Sequence, residues 1–283
     1  MRSLNWGRVG VRTGIALVAL SLPLFAFQNC SKTSFSSAAD SSSLENPMAL
    51  PGQTDANGFI HVPSSCYYEL HNTTSPIRLI FVADTSGSNG HTDPGKVVRA
   101  GSIQEFFNDY KAHANFKWAF DYFQESSSFA LINSGDAQTP IFGSSSDMQA
   151  AIVSYTSIGD HGNTPYRTAI NMASQLIAND TSASAATKYL VVFWSDGMPT
   201  DYTQDAAGDA QLDSDVKALV AVRPGMISFN TIYYGPNDPS SSGRLQAMAQ
   251  AGSGQFLDTN ANPSGKSFSI SDTVTVPGST CHP

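Results

Sequence analysis

One short segment of the sequence places three oxygen-bearing side chains directly after an apolar run. Asp84, Ser86 and Ser88 follow residues 77–83, which read IRLIFVA, and their spacing puts one carboxylate and two hydroxyls on a single turn. Hard oxygen ligands of this kind suit Mg²⁺ or Ca²⁺, and Mg²⁺ in particular is bound through few carboxylates. Alone, the segment is equally typical of an ordinary turn after a strand.

Two later segments offer further oxygen ligands. Thr164 precedes Pro165 ahead of a helical pattern over 166–178, and Asp196 follows the apolar run 189–193. Each has an ordinary interpretation, the first as a helix start and the second as a turn. In an open parallel sheet, however, ligands gather at the carboxyl ends of the strands. Together the three segments therefore indicate one cation site at that edge of a sheet.

The elements that would position these residues alternate between apolar strands and amphipathic helices. We predict strands over 77–83, 116–123, 128–133, 189–195, 226–234 and 255–258, and helices over 94–113, 146–155, 166–178, 212–222 and 244–251. The first helix is expected to be capped by residues 92–94, with Val97 on its inner side. This alternation indicates a three-layer α/β fold with a doubly wound, mostly parallel sheet. A hairpin at 124–127 adds one antiparallel edge strand.

Taken in order, the three segments resemble a known site. Asp84-x-Ser86-x-Ser88, then Thr164 in Gly-x-Thr-Pro, then Asp196 in Ser-Asp-Gly-x-Pro-Thr-Asp are similar to the metal-ion-dependent adhesion site of von Willebrand factor A (VWA) domains. Order and spacing match, and no metal-binding position departs from the family pattern. The resemblance covers about residues 66–281. It implies a Rossmann-like fold and a metal held by these five residues, with the two serines in direct contact.

The resemblance also implies a function. The five side chains would form an incomplete shell around a divalent cation, with Mg²⁺ expected first and Mn²⁺ or Ca²⁺ as alternatives. Two carboxylates roughly offset the dication, so it accepts one more anionic oxygen, from an Asp or Glu of a protein ligand. We therefore expect an adhesion-type binding module and no enzyme. The alternative is a non-enzymatic scaffold or assembly subunit of an envelope complex.

Other kinds of site fit the sequence less well. Metal-assisted phosphoryl transfer would need a second acid two residues after Asp84, where Ser86 stands, and no Gly-x-Ser-x-Gly elbow lies between a strand and a helix. His91 and His161 lie in loops near the site, and we interpret them as exposed residues rather than as bases. The five acidic residues between positions 201 and 215 lack the spacing of a Ca²⁺ loop, and we interpret them as a solvated linker into the next helix.

Composition narrows the range of partners. Charged residues make up 13% of the 283 residues, well below the usual quarter, which indicates an exported protein with a weakly charged surface. Without the first 29 residues, which contain three arginines and no acid, 12 basic and 23 acidic residues remain, for a net charge of −11. Nucleic acid and anionic lipid are therefore not expected as partners, because both reward clustered Lys and Arg.

The N-terminus has the form of an export signal over residues 1–29. A positive region precedes the apolar stretch 14–27, which is too short to span a bilayer. Cys30 follows at once, so the segment resembles a bacterial lipoprotein signal with the lipid on Cys30. Residues 27–29 lack the usual small side chains and resemble a variant found in some Gram-negative lipoproteins. The alternative is ordinary signal cleavage, although no Ala-x-Ala site precedes Ser31.

Residues 30–65 are rich in Ser and predict a lipid-anchored tether ahead of one domain over 66–283. We therefore expect a protein in the envelope of a Gram-negative bacterium, in the outer membrane or facing the periplasm, that contacts the membrane through its lipid only. With Cys30 lipidated, Cys66 and Cys281 remain, and in an oxidising compartment two such thiols form a disulfide. The alternative is two free thiols.

Overall fold

The two most apolar runs of the sequence become adjacent strands at the centre of a six-stranded sheet. β2 (Ile77–Asp84) lies between β3 (Phe116–Gln124) and β5 (Lys188–Ser195), and it is buried along its whole length. A computed structural model describes residues 67–70, 75–261, 269–272, 274, 276–277 and 279–282. All of them belong to one compact unit of the chain, Met48–Pro283.

The sheet is parallel except at one edge. Its strand order is β4-β3-β2-β5-β6-β7, where β4 is Ser127–Ala130, β6 is Ile227–Tyr233 and β7 is Ser253–Asp258. β4 runs antiparallel to β3, and the other four neighbouring pairs of this sheet are parallel. The predicted fold class is confirmed: a three-layer, doubly wound α/β fold with a mostly parallel sheet and an antiparallel edge strand.

Helices cover both faces of the sheet. They are α1 (Asn89–Thr92), α2 (Val97–Tyr110), α3 (Ser145–Thr156), α4 (Tyr166–Ala178), α5 (Ala206–Ala221) and α6 (Pro239–Ala251). Short 3-10 turns occupy Pro94–Lys96, Thr259–Ala261 and Ile270–Asp272. One core contains Phe106 of α2 and Tyr155 of α3, and the other contains Leu176 of α4 and Met248 of α6. Because both faces are covered, the central strands are apolar throughout rather than alternating.

The start of α2 differs from the prediction. The helix begins at Val97, and the carboxylate of Asp93 accepts the backbone N–H groups of Val98 at 2.9 Å and Arg99 at 3.0 Å. Gly95 and Lys96 adopt left-handed conformations between the cap and the helix. This irregular entry changes which residues face inward, and Val97, predicted on the inner side, is 75% exposed.

Only the first two of the five acidic residues between 201 and 215 lie in a linker, because α5 already begins at Ala206. Asp201 accepts the N–H of Arg167 at 2.8 Å, in the first turn of α4. Asp205 caps α5 by accepting the N–H groups of Ala207 at 3.1 Å and Gly208 at 2.9 Å, and the other three acids lie within α5. Carboxylates are favoured at helix N-termini, where amide groups lack partners, which explains why Asp201 and Asp205 lie at the starts of α4 and α5.

A second sheet of two antiparallel strands joins β1 (Tyr67–Leu70) to β8 (Ser279–His282), with Tyr68 opposite Cys281. Neither strand was expected from the sequence. Cys30 and Cys66 lie outside the described residues, as do segments 1–29 and 30–65, so the lipid, the disulfide and the domain boundaries stay predictions. Among the helices that are described, none is long and apolar enough to cross a membrane.

Candidate metal-binding site

Asp84 and Ser195 are the last residues of two neighbouring parallel strands, β2 and β5. Because the carboxyl ends of parallel strands meet at one edge of the sheet, the loops that follow them lie side by side. The Ser195 hydroxyl donates a hydrogen bond to Asp84 Oδ2 at 2.5 Å across this edge. Fold topology alone therefore brings the first and third predicted segments together.

The carboxylate of Asp84 is fully buried. Its Oδ1 accepts the N–H of Ser86 at 2.7 Å, which closes the turn after β2. Burial raises the pKa of Asp84 to about 7, the negative charge of Asp196 adds to the rise, and hydrogen bonds from Ser195 and Ser86 oppose it. The two carboxyl groups are thus close enough for their charges to repel.

Polar contacts connect Ser86 with Asp196. The hydroxyl oxygens of Ser86 and Ser88 are 3.2 Å apart, and Ser88 donates to Asp196 Oδ1 at 2.7 Å. The other oxygen of that carboxylate, Oδ2, accepts the hydroxyl of Thr92. Four of the five predicted ligands, Asp84, Ser86, Ser88 and Asp196, are therefore joined in one cluster.

Thr164 reaches the cluster through its loop. The N–H of Gly87 donates to the carbonyl oxygen of Gly162 at 3.0 Å. The N–H of Thr164 donates to Thr200 Oγ1 at 3.1 Å, and the N–H of Thr200 donates to the carbonyl oxygen of Thr164 at 3.0 Å. The Thr164 loop is thus bonded to both other loops.

Thr164 is not the cap of the helix that follows it. The N-cap position of α4 is Pro165, and Asp201 accepts the N–H of Arg167 in the first turn. The ordinary interpretation of this segment, with Thr164 capping the helix, is therefore wrong, because Asp201 from the loop after β5 supplies the capping oxygen.

Three further side chains belong to the cluster and were not predicted from the sequence: Asn89, Thr92 and Tyr234. Asn89 is buried, and Tyr234, the residue after β6, donates its hydroxyl hydrogen to Asn89 Oδ1. Thr92 lies four residues after Ser88, a spacing that puts both on one helical face and could have indicated it. No local signal points to Tyr234, which is 145 positions from Asn89.

A buried ionic network contacts the backbone at the end of β2. Arg99 is completely buried and forms ion pairs with Asp93 at 3.0 Å and Asp160 at 3.1 Å, while Lys96 pairs with Asp160 at 2.8 Å. Arg99 also donates to the carbonyl oxygen of Asp84 at 2.5 Å. Two cations balance two carboxylates within this network, so it holds the strand end without neutralising the carboxylates of the site.

His91 and His161 are both exposed, as predicted, but only His161 lies in a loop, because His91 belongs to the short helix α1. His161 Nε2 lies 3.8 Å from a carboxylate oxygen of Glu125, and both of these side chains are more than half exposed.

The donor set fits a hard divalent cation. Two carboxylates and three hydroxyls offer the oxygen ligands that Mg²⁺ and Mn²⁺ prefer. Mutual repulsion contributes to the raised pKa of Asp84, and a dication beside both carboxylates would relieve it. The described residues hold no group of three or more His, Cys, Asp or Glu side chains placed to bind a metal. This candidate differs from such groups because three of its five donors are hydroxyls.

No protein-family model and no curated protein matches the chain. A solved von Willebrand factor type A structure from Catenulispora acidiphila is 14% identical, covers 71% of this chain and 43% of its own, and gives a TM-score of 0.49. The D319A mutant of the PilB minor pilin from Streptococcus sanguinis is 13% identical. The match covers 66% of this chain and 58% of the pilin chain, with a TM-score of 0.49. Manganese-loaded TRAP protein of Plasmodium vivax is 16% identical to this chain. The match covers 69% of this chain and 73% of the TRAP chain, with a TM-score of 0.45.

The chain spans about half the length of the first two of these proteins. With identities this low and TM-scores below 0.5, these likenesses assign no metal, ligand or partner to the chain.

Proposed function

We propose that this chain is an adhesion-type binding module, in which the strand-end site holds a divalent cation and, through it, a carboxylate of a protein ligand. The observation that carries the proposal is the pair of carboxylates at the ends of β2 and β5, joined through Ser86 and Ser88. Asp84, Ser86, Ser88, Thr164 and Asp196 would hold the ion. Mg²⁺ is the expected ion, with Mn²⁺ or Ca²⁺ as alternatives.

When bound, the cation would supply an electrophilic centre for one anionic oxygen of the ligand. The residues of the chain determine how strongly that oxygen is attracted. Two carboxylates roughly balance the dication, whereas the hydroxyls add dipoles and no further charge. A site balanced in this way still attracts an Asp or Glu carboxylate, and a third carboxylate from the chain itself would weaken that attraction. The function is binding alone, without a reaction on the ligand.

Asp84→Asn removes one full charge from the site while keeping the shape of the side chain. We expect it to abolish measurable Mg²⁺ and Mn²⁺ binding in isothermal titration of the full chain, because a carboxylate contributes far more to a dication site than an amide does. Immobilised wild-type protein should retain an envelope protein in Mg²⁺ and release it in EDTA. The variant should retain none.

Asp121→Asn is the matched control, because Asp121 is an equally buried carboxylate in the neighbouring strand β3. This variant should bind Mg²⁺ as wild type does. If Asp84→Asn binds metal as tightly as wild type, the site is wrong. If the retained partner withstands EDTA, the scaffold role replaces the adhesion-type one.

We also propose that the module is exported and held at a membrane by a lipid on Cys30, at the end of the tether 30–65, with a Cys66–Cys281 disulfide in the domain. Cys30→Ser should move the protein from the membrane pellet to the soluble fraction, because the lipid is its proposed membrane contact. Cys66→Ser should stay in the pellet. Wild-type protein found in the soluble fraction would contradict the lipid and leave export alone.

A further inference from the structure

Asn89 lies between the two loops that carry the candidate site, the one after β2 and the one after β5. It is completely buried directly after Ser88, and its amide nitrogen lies 3.2 Å from the hydroxyl oxygen of Ser86 and 3.4 Å from Asp196 Oδ1. The same nitrogen lies 3.2 Å from the carbonyl oxygen of Ser86. One amide group therefore contacts the loop after β2 and the loop after β5 at once.

The hydrogen bonds among these side chains have a single direction. A serine hydroxyl carries one hydrogen, and that of Ser88 is used at Asp196 Oδ1. The 3.2 Å contact between the two serines must then be donated by Ser86. With its hydrogen committed, Ser86 can only accept from Asn89. The chain of donors thus runs from Asn89 through both serines to Asp196.

This direction leaves each serine with one uncommitted lone pair. A hydroxyl oxygen has two acceptor lone pairs. Asn89 occupies one on Ser86, and Ser86 occupies one on Ser88. The remaining lone pairs are those that a cation would use. Because rotating either hydroxyl would break the chain of donors, the amide at its start fixes the orientation of both.

Tyr234 determines which end of the Asn89 amide faces the serines. Its hydroxyl donates to Asn89 Oδ1. The reversed amide would place an oxygen where the nitrogen now lies, 3.4 Å from Asp196 Oδ1, so that two acceptors would face each other. Tyr234 is itself held in place, because its ring is buried and the guanidinium of Arg99 lies 5.6 Å from the ring centroid.

We propose that Asn89 and Tyr234 are positioning residues of this site, which orient the hydroxyls of Ser86 and Ser88 for a cation before it binds. The inference rests on the proposed metal-binding function. It adds that the affinity of the site depends on a phenol at the end of β6 that would not touch the ion.

Tyr234→Phe tests this inference because it removes the hydroxyl and keeps the ring. We expect the Mg²⁺ affinity of the full chain to fall about tenfold, the lower end of what outer partners of metal ligands contribute. In the metal-free protein, the side-chain amide signals of Asn89 in ¹⁵N NMR should move and exchange faster with water, because the amide oxygen has lost its donor. This second measurement does not depend on metal.

Tyr233→Phe is the matched control. Tyr233 is the adjacent residue, its side chain is also buried, and its hydroxyl donates to the carbonyl oxygen of Pro236 at 2.5 Å rather than to Asn89. Each variant loses the one hydrogen bond that its phenol donates, and both should lose thermal stability in EDTA. Only Tyr234→Phe should lower the Mg²⁺ affinity and shift the Asn89 signals.

A double-mutant cycle separates orientation from general loosening. Adding Tyr234→Phe to Asn89→Ala should cost no further affinity, because the amide it orients is gone. If both phenylalanine variants weaken Mg²⁺ binding equally, or if Tyr234→Phe weakens it equally with and without Asn89, the inference is overturned and the metal site stands. Wild-type protein that binds no Mg²⁺ would overturn both.

Discussion

Asp84 and Asp121 are fully buried carboxylates in neighbouring strands, and their surroundings are opposite. Asp84 ends β2, and its oxygens accept hydrogen bonds from the N–H of Ser86 at 2.7 Å and the hydroxyl of Ser195 at 2.5 Å. Asp121 lies inside β3, opposite Val82, and neither of its oxygens has a hydrogen-bond partner within the described part of the chain. The two carboxylates are thus equally buried, but only that of Asp84 accepts hydrogen bonds from the described residues.

Position along the strand explains the difference. Inside a strand the backbone N–H groups are committed to the sheet. The neighbours of Asp121 on the same face of β3 are Ala119 and Phe123, which have no side-chain donor. At the end of a strand the chain leaves the sheet, and the amides and hydroxyls of the next turn become free to bond a carboxylate.

The comparison also shows what a perturbed acid does and does not indicate. Burial raises the pKa of Asp84 to about 7 and that of Asp121 to about 8. For Asp84 the charge of Asp196 contributes as well, whereas burial is the cause at Asp121. A raised pKa alone therefore does not identify a binding site. The second carboxylate and the surrounding donors are what distinguish Asp84.

The pH dependence of stability should show this difference most strongly. The pKa of Asp121 is about 8 in the folded protein, against an ordinary value of 3.8. Between these values the folded protein keeps a proton that the unfolded chain has released. The contribution of Asp121 to stability is therefore greatest below about pH 4, falls as the pH rises from about 4 to about 8, and levels off above that. This group alone should lower the free energy of unfolding by about 1.4 kcal/mol per pH unit in that window.

Urea unfolding of wild type and Asp121→Asn in EDTA, between about pH 5 and about pH 8, measures the effect. Wild type should lose stability relative to the variant as the pH rises. Both proteins carry metal-free Asp84, so its titration cancels from the difference. Asp136→Asn, at an exposed carboxylate, should run parallel to wild type. Parallel curves for Asp121→Asn would show that Asp121 is solvated or partnered in solution, and the comparison would fail.

The meeting of Asp84 and Asp196 at the strand ends can be predicted from the sequence, whereas the contact between Asn89 and Tyr234 beside them cannot. Asp84 and Asp196 each follow an apolar run, and parallel strands must end at a common edge. The contact between Asn89 and Tyr234 joins residues 145 positions apart, and no local pattern encodes such a contact. The sequence predicts that the strand-end residues cluster because the sheet topology brings them together. It does not predict Asn89 and Tyr234, because side-chain packing brings these two together.

Two further misses have local causes. The sequence predicts a strand over 116–123 but not that Asp121 within it is buried without a partner, because helices cover both faces of β3 and the alternation of a one-sided strand is lost. Val97, predicted on the inner side of α2, is exposed. Two left-handed residues, Gly95 and Lys96, precede the helix, and a left-handed lysine is not expected from sequence.

Gly235→Ala tests the strand-end side of the comparison, with a smaller expected effect. A Cβ at Gly235 would lie 2.1 Å from the carbonyl oxygen of Asp196. A backbone oxygen cannot rotate away as a side chain can, so the loop that carries Asp196 must shift. We expect a loss of about 1–3 kcal/mol in the free energy of unfolding, the usual cost of overpacking, together with weaker Mg²⁺ binding. Urea unfolding in EDTA and isothermal titration measure the two effects separately.

Gly101→Ala is the matched control, because Gly101 lies inside α2 and no atom is within 4 Å of an added Cβ. This variant should raise the free energy of unfolding by about 0.5–1 kcal/mol, since Ala is the better helix former. It should leave the Mg²⁺ affinity unchanged. If Gly235→Ala loses stability but binds Mg²⁺ like wild type, the Asp196 loop tolerates displacement, and close backbone packing does not position the site. If it loses both, the carboxylates at the strand ends depend on tightly packed loops, a support that Asp121 in the middle of its strand does not have.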